Sequence, residues 1–193
     1  ADDYSGTSIG NAFSDLDGNG RLDRVRYDTP RFGGLMLSGD VASNQRGSAA
    51  VTWEEGDLAG FSTAAALGYS DPGSGRDYLV SGSASALHLG SGLSVTVSAG
   101  TRDNEGRDSS QNYYAKLGWQ TMGITDIGRT AFSVDYTRSE DIAQDGDTGD
   151  SVGLFGGQVV PKYATELFAG VRWHSLDRDN ADCDDIVAGV TGA

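Results

Sequence analysis

The chain has 193 residues with 28 acidic side chains against 14 basic ones, a formal net charge of −14. That balance repels nucleic-acid phosphates and anionic surfaces. No run of 18 apolar residues occurs, which excludes a membrane-spanning helix in this sequence, and the single cysteine, Cys183, excludes an intrachain disulfide. Glycine is abundant at 29 residues while proline is scarce at 3, which suits tightly turning strands.

Residues 1–20 show no alternation, are rich in Gly, Ser, Asp and Asn, and read as an irregular loop. They begin Ala1-Asp2-Asp3-Tyr4 without a secretory signal, as expected of a mature, trimmed or fragmentary chain. Within the loop, Asp15, Asp17 and Asn19 followed by Asp23 resemble the opening of a calcium loop. Arg26 stands where that loop needs a bidentate Glu, so an acidic turn is the plainer reading and no metal or other cofactor is otherwise implied.

Alternation begins at Arg24-Val25-Arg26-Tyr27-Asp28, turns at Pro30 and Gly33-Gly34, and resumes through Leu35, Leu37 and Val41, the pattern of a hairpin. Arg24, Arg26, Asp28, Ser38 and Asp40 share one face; Val25, Tyr27, Leu35, Leu37 and Val41 share the other. Further alternating runs follow at Ala49-Val51-Trp53, at Phe61 to Tyr69, at Tyr78 to Leu89, and at Leu93 to Ala99. Tyr113 to Trp119 has Lys116 on its polar side, and Phe132-Val134-Tyr136 opposes Ser133, Asp135 and Thr137. The segment Val152 to Val160 is ambiguous in its facing, Tyr163 to Trp173 opposes Glu166, Arg172 and His174, and Ile186 to Ala193 closes the series.

These are about eleven strands, most of the length a tilted strand needs to cross a bilayer. Short connections at Pro30–Gly34, Gly56-Asp57, Gly90–Gly92, Met122–Gly128 and Pro161-Lys162 alternate with longer polar ones at Ser43–Gly47, Asp71–Asp77, Arg102–Ser110, Glu140–Asp150 and Asp177–Asp185. The expected architecture is therefore an antiparallel, up-and-down transmembrane β-barrel with one close-turned rim and one loop-rich rim. Trp53, Tyr69, Tyr113, Trp119, Tyr136, Tyr163 and Trp173 lie near strand ends on the apolar side, where an interfacial girdle would place them.

The run Arg24-Val25-Arg26-Tyr27-Asp28-Thr29-Pro30 with Phe32-Gly33-Gly34-Leu35 resembles the segment that follows the constriction loop in the general, trimeric porins of Gram-negative bacteria. The resemblance implies a share of a sixteen-stranded barrel in the bacterial outer membrane: a water-filled channel for passive diffusion of small polar solutes and ions, assembled as a homotrimer in outer-membrane lipid. It implies that residues 1–20 end the inward-folded loop and that residues 21–193 form barrel strands of one incomplete domain. It places Asp15 and Asp17 on that loop opposite Arg24 and Arg26 on the wall; Lys116 and Arg172 share their facing without a matching motif. Two departures stand out: five N-terminal strands are missing from the pattern, and the end Thr191-Gly192-Ala193 lacks the family's terminal Phe. A longer polypeptide, or strands from another segment, is therefore expected.

Chemistry of other kinds has little support. His88 and His174 stand apart from any nucleophile or zinc motif, so no enzyme is expected. Cys183 lies in an acidic stretch with only Arg178 near in sequence, a poor setting for a reactive thiol. The alternative is a secreted or surface β-module, adhesin-like or calcium-binding, in which the apolar faces meet as a core.

Overall fold

The computed structural model describes residues 9–12, 16, 22–71, 78–178 and 185–191. A single turn of helix, Ile9–Ala12 (α1), precedes the strands Arg24–Asp28 (β1), Leu35–Ala42 (β2), Arg46–Leu58 (β3), Phe61–Asp71 (β4), Leu79–His88 (β5) and Leu93–Asn104 (β6). Arg107–Thr121 (β7), Thr130–Glu140 (β8), Thr148–Val160 (β9) and Thr165–Asp177 (β10) follow, and Asp185–Thr191 (β11) pairs through its backbone with β10. The protein is all-β: each strand pairs antiparallel with its sequence neighbour in one up-and-down sheet. The sheet is open, with β1 and β11 at its two ends.

The strands are longer than hydrophobic alternation alone indicates. β6 runs to Asn104 and β7 starts at Arg107, so most of the polar stretch expected as a loop is paired ladder turning at Glu105 and Gly106. Likewise β9 begins at Thr148, and β3 passes through Gly56-Asp57 as a bulge between Glu55 and Leu58 before turning at Ala59-Gly60. The Gly60 amide donates to Asp57 Oδ1 at 2.8 Å, so Asp57 closes that turn from the strand. Among the described residues, therefore, the expected sorting of rims is not observed. One end has connections at residues 43–45, 105–106 and 141–147, the other at 59–60, 89–92 and 122–129, and both mix short with long.

Gly92 shows how tightly the ladders fix one turn. Its φ is +72°, and a Cβ there would meet the Gln120 carbonyl oxygen at 1.9 Å, the oxygen's own residue donating its amide to Gly92. Only glycine satisfies both the left-handed backbone and that approach.

The two faces of the sheet are inverted relative to a water-soluble sandwich. Leu117, Leu93 and Leu67 are 62%, 58% and 55% exposed, whereas Ser110, Thr137, Ser139 and Ser151 are all at or below 2%. Along β8 the sequence of burial makes the point residue by residue: Val134, Tyr136 and Arg138 are exposed; Asp135, Thr137 and Ser139 are buried. Among the described residues no second sheet covers either face. A single layer shelters one face from solvent by curving toward it, as barrels do. The sheltered face is the polar one.

Candidate functional site

Directly paired residues of an antiparallel sheet share a face. The register therefore lines up Thr96, Lys116, Asp135, Gly153 and Arg172 as one row across β6 to β10 on the sheltered face. Arg172 Nη2 donates to Asp135 Oδ1 at 2.7 Å and to Oδ2 at 2.6 Å, spanning β9 over Gly153. Side-chain exposure is 5% for Asp135 and 17% for Arg172, so the pair is well shielded. A Cβ on Gly153 would meet Asp135 Oδ1 at 2.6 Å and the Phe155 ring at 2.5 Å; the missing side chain is what lets the pair close.

Two aromatics complete this cluster. Tyr114 Oη donates to Asp135 Oδ2 at 3.2 Å, and the Arg172 guanidinium carbon lies 5.4 Å from the Phe155 ring centre, within cation–π reach. Phe155 rests against Gly170, where a Cβ would approach its ring to 2.2 Å. Further along the same face, Asn112 Nδ2 donates to Ser139 Oγ at 3.0 Å, and Ser151 Oγ and His174 Nδ1 lie 2.6 Å apart. Nearer the end of the sheet, Asn104 Nδ2 donates to Ser110 Oγ, which donates to the Asp141 carbonyl at 2.7 Å. Buried polar groups bonded in this way hold side chains in place without an apolar core.

The residues expected to line a constriction fall into separate places. Arg24 and Arg26 share the polar face but sit on the edge strand β1. Arg26 Nε is 2.8 Å from Asp28 Oδ1, and its Nη2 donates to Ser38 Oγ at 3.1 Å. Arg24 is 3.8 Å from Asp40, which also accepts from the Ser48 hydroxyl. Lys116 and Arg172 lie in one row six and nine strands away, on β7 and β10, with Asp135 and Gly153 between them. Asp15 and Asp17 lie outside the described residues, as does Asn19. Between the two aspartates, Leu16 is 3% exposed and packs on the polar face: a Cβ on Gly100 would lie 3.1 Å from its Cδ1. α1 lies against β9 and β10. Asp23, the remaining calcium candidate, is exposed, and among the described residues no three of His, Cys, Asp and Glu come together as a metal would need.

On the apolar face the girdle candidates stand at two levels. Trp119, beside Leu93 and Phe132, lies toward the 89–92 turn and donates Nε1–H to the Ser91 carbonyl at 3.1 Å. Trp53 pairs with Leu35 at the same end, and Tyr163 is exposed in the short 3₁₀ turn Pro161–Tyr163. Tyr69, Tyr113, Tyr136 and Trp173 lie toward the opposite end. Between the levels run Ala115, Leu117, Val134, Leu154 and Val171. Beyond Tyr113 the same face turns polar at Gln111, Arg138, Glu140 and Asp150. Beyond Trp119 it turns polar at Thr121, Thr130 and Gln158, whose Oε1 accepts from Thr130 at 2.7 Å. The ten residue-to-residue steps from Gln111 to Thr121 span about 34 Å along the strand, or about 26 Å after a tilt of about 40°.

No family model matches this chain, and no curated protein or solved structure matches it. Asp135 and Phe155 are the functional candidates that sequence reasoning passed over as site residues. Asp135 had one signal, its polar-face parity opposite Lys116; Phe155 had none, because it breaks the alternation of β9.

Proposed function

We propose that this chain builds the wall of a water-filled β-barrel channel in the outer membrane of a Gram-negative bacterium, passing small hydrophilic solutes and ions by diffusion. The observation that carries this reading is the inversion of the sheet: large apolar side chains bare on one face, hydrogen-bonded polar side chains sheltered on the other. Lipid is the medium that gains from such a face; in water it would be an apolar patch far larger than soluble proteins expose. The span between its two polar margins, about 26 Å, fits the apolar band of outer-membrane barrels, about 25 Å tall. Aromatic rings near both margins fit the headgroup levels.

In a bilayer an open sheet edge is costly, so further strands or further copies close the wall beside β1 and beyond β11. A homotrimer of such barrels is the assembly the porin resemblance brings with it. The solute path runs along the polar face, where Arg24, Arg26, Lys116 and the Asp135–Arg172 pair set the local field. A field across a narrow wet pore filters solutes by charge and size without a tight pocket.

Planar-bilayer recording of the detergent-purified protein tests this. Stable conductance steps are expected, and changing Arg24 and Arg26 together to alanine shifts the reversal potential in a salt gradient toward cations, because positive charge leaves the pore lining. A protein that remains monodisperse without detergent and inserts no steps contradicts the reading.

A further inference from the structure

The polar face is lined chiefly by small or hydrogen-bonding side chains, yet near the 89–92 turn three large apolar side chains, Leu87, Phe155 and Phe168, interrupt it around Lys116. They border a cleft of about 400 Å³ whose floor includes Ser133 and the side-chain-free Gly118 and Gly157. A continuous hydrogen-bonded lining would have no use for phenyl rings at this level, yet Phe168 is 63% exposed and Phe155 is half-buried. Phe155 is fixed as a rigid wall by Gly153, Gly170 and the Arg172 guanidinium packed on it.

The charge at the cleft mouth is positive and uncommitted. Lys116 and Asp135 are direct cross-strand partners, but Asp135 gives both oxygens to Arg172 and accepts from Tyr114 as well. Lys116 forms no ion pair among the described residues, and its side chain is half-buried beside the cleft. The row therefore carries one net positive charge, located at Lys116, above an apolar and aromatic recess.

We infer that this cleft is a solute subsite for small organic anions with a flat apolar body, the carboxylate or other anionic group meeting Lys116 and the body lying among Leu87, Phe155 and Phe168. The inference rests on the channel reading and gives that channel a preferred class of solute. An apolar body without charge leaves Lys116 solvated and gains only the recess; a small anion without a body gains only a partly screened ion contact. Both are needed for retention.

Calorimetric titration of the protein in detergent with benzoate, acetate and benzyl alcohol, at fixed ionic strength, reads the site directly. Benzoate is expected to bind saturably and about tenfold more tightly than either control, combining an ion contact with burial of a ring. Lys116→Gln is expected to weaken benzoate about five- to tenfold and leave benzyl alcohol unchanged; Leu87→Ser, on the opposite wall, weakens benzoate and leaves acetate unchanged. Equal affinity for acetate and benzoate, or benzoate binding unaltered by Lys116→Gln, overturns the inference. Because binding is read without a membrane, the two claims separate: a protein that conducts but does not prefer benzoate loses the subsite and keeps the channel, and one that binds benzoate but carries no current loses the channel and keeps the cleft.

Discussion

Replacing Asp135 with alanine is expected to destabilise the folded wall by about 3 kcal/mol, the order of loss found when one partner of a shielded ion pair is removed. The carboxylate is 5% exposed and takes both close contacts from Arg172 Nη2. Alanine also takes away the acceptor of the Tyr114 hydroxyl. Arg172→Met in the same chain should recover a substantial part of the loss, since the second change removes the charge that the first left without its carboxylate. Urea unfolding from vesicles, followed by the heat-sensitive shift in gel mobility, measures the double-mutant cycle. Additive effects of the two changes would mean that the pair contributes nothing as a unit.

Leu117→Arg carries an effect of similar size for a different reason. Leu117 is 62% exposed, at the middle of the apolar face between Val95 and Val134. Introducing a charge at an exposed position of a soluble protein changes stability by about 0.5 kcal/mol or less. On a lipid face near the bilayer midplane the same change costs about 2–4 kcal/mol. Thr96→Arg, in the next row but on the opposite face, puts its charge into the polar lining and is expected to cost much less. The difference between the two arginine variants thus measures which face meets hydrocarbon.

The fold was legible where apolar and polar residues alternate. Leu93, Val95 and Val97 against Ser94, Thr96 and Ser98 define a strand and its two faces by sequence alone, and β6 has that facing. Legibility ended where the apolar face itself turns polar. Above Tyr113 both faces of β7 and β8 carry polar side chains, so hydrophobic periodicity vanishes while the backbone ladder continues from Gln111 opposite Glu140. Residues 102–110 therefore read as a loop although all but 105–106 are strand, and the loop read over 140–150 shortens to 141–147 because β9 begins at Thr148. The Gly56-Asp57 pair has the chemistry of a turn, and the structure uses it as a bulge ahead of Ala59-Gly60, where Ala59 takes a φ of +53°.

The site was legible in part for the same reason. Strand parity alone puts Lys116 and Arg172 on the polar face. What parity cannot give is the partner, because the contact of Arg172 with Asp135 joins residues 37 apart through a gap left by Gly153 on the strand between them. Phe155 carried no signal: an aromatic among Gly153, Leu154, Gly156 and Gly157 made β9 ambiguous, and only the register with Ser133 and Gly170 puts it on the polar face.

In the proposed channel the apolar face meets lipid while the polar face meets water. Site-directed spin labels on β6 and β7 test it most directly, with Cys183 changed to serine so that only the introduced cysteine is labelled. In reconstituted vesicles, labels at Val95, Val97 and Leu117 should be reached by oxygen dissolved in the bilayer and protected from a water-soluble nickel complex. Labels at Thr96, Ser98 and Lys116 should show the reverse, a period of two along each strand. Equal access of the nickel complex to both sets would contradict the account and return the sheet to water.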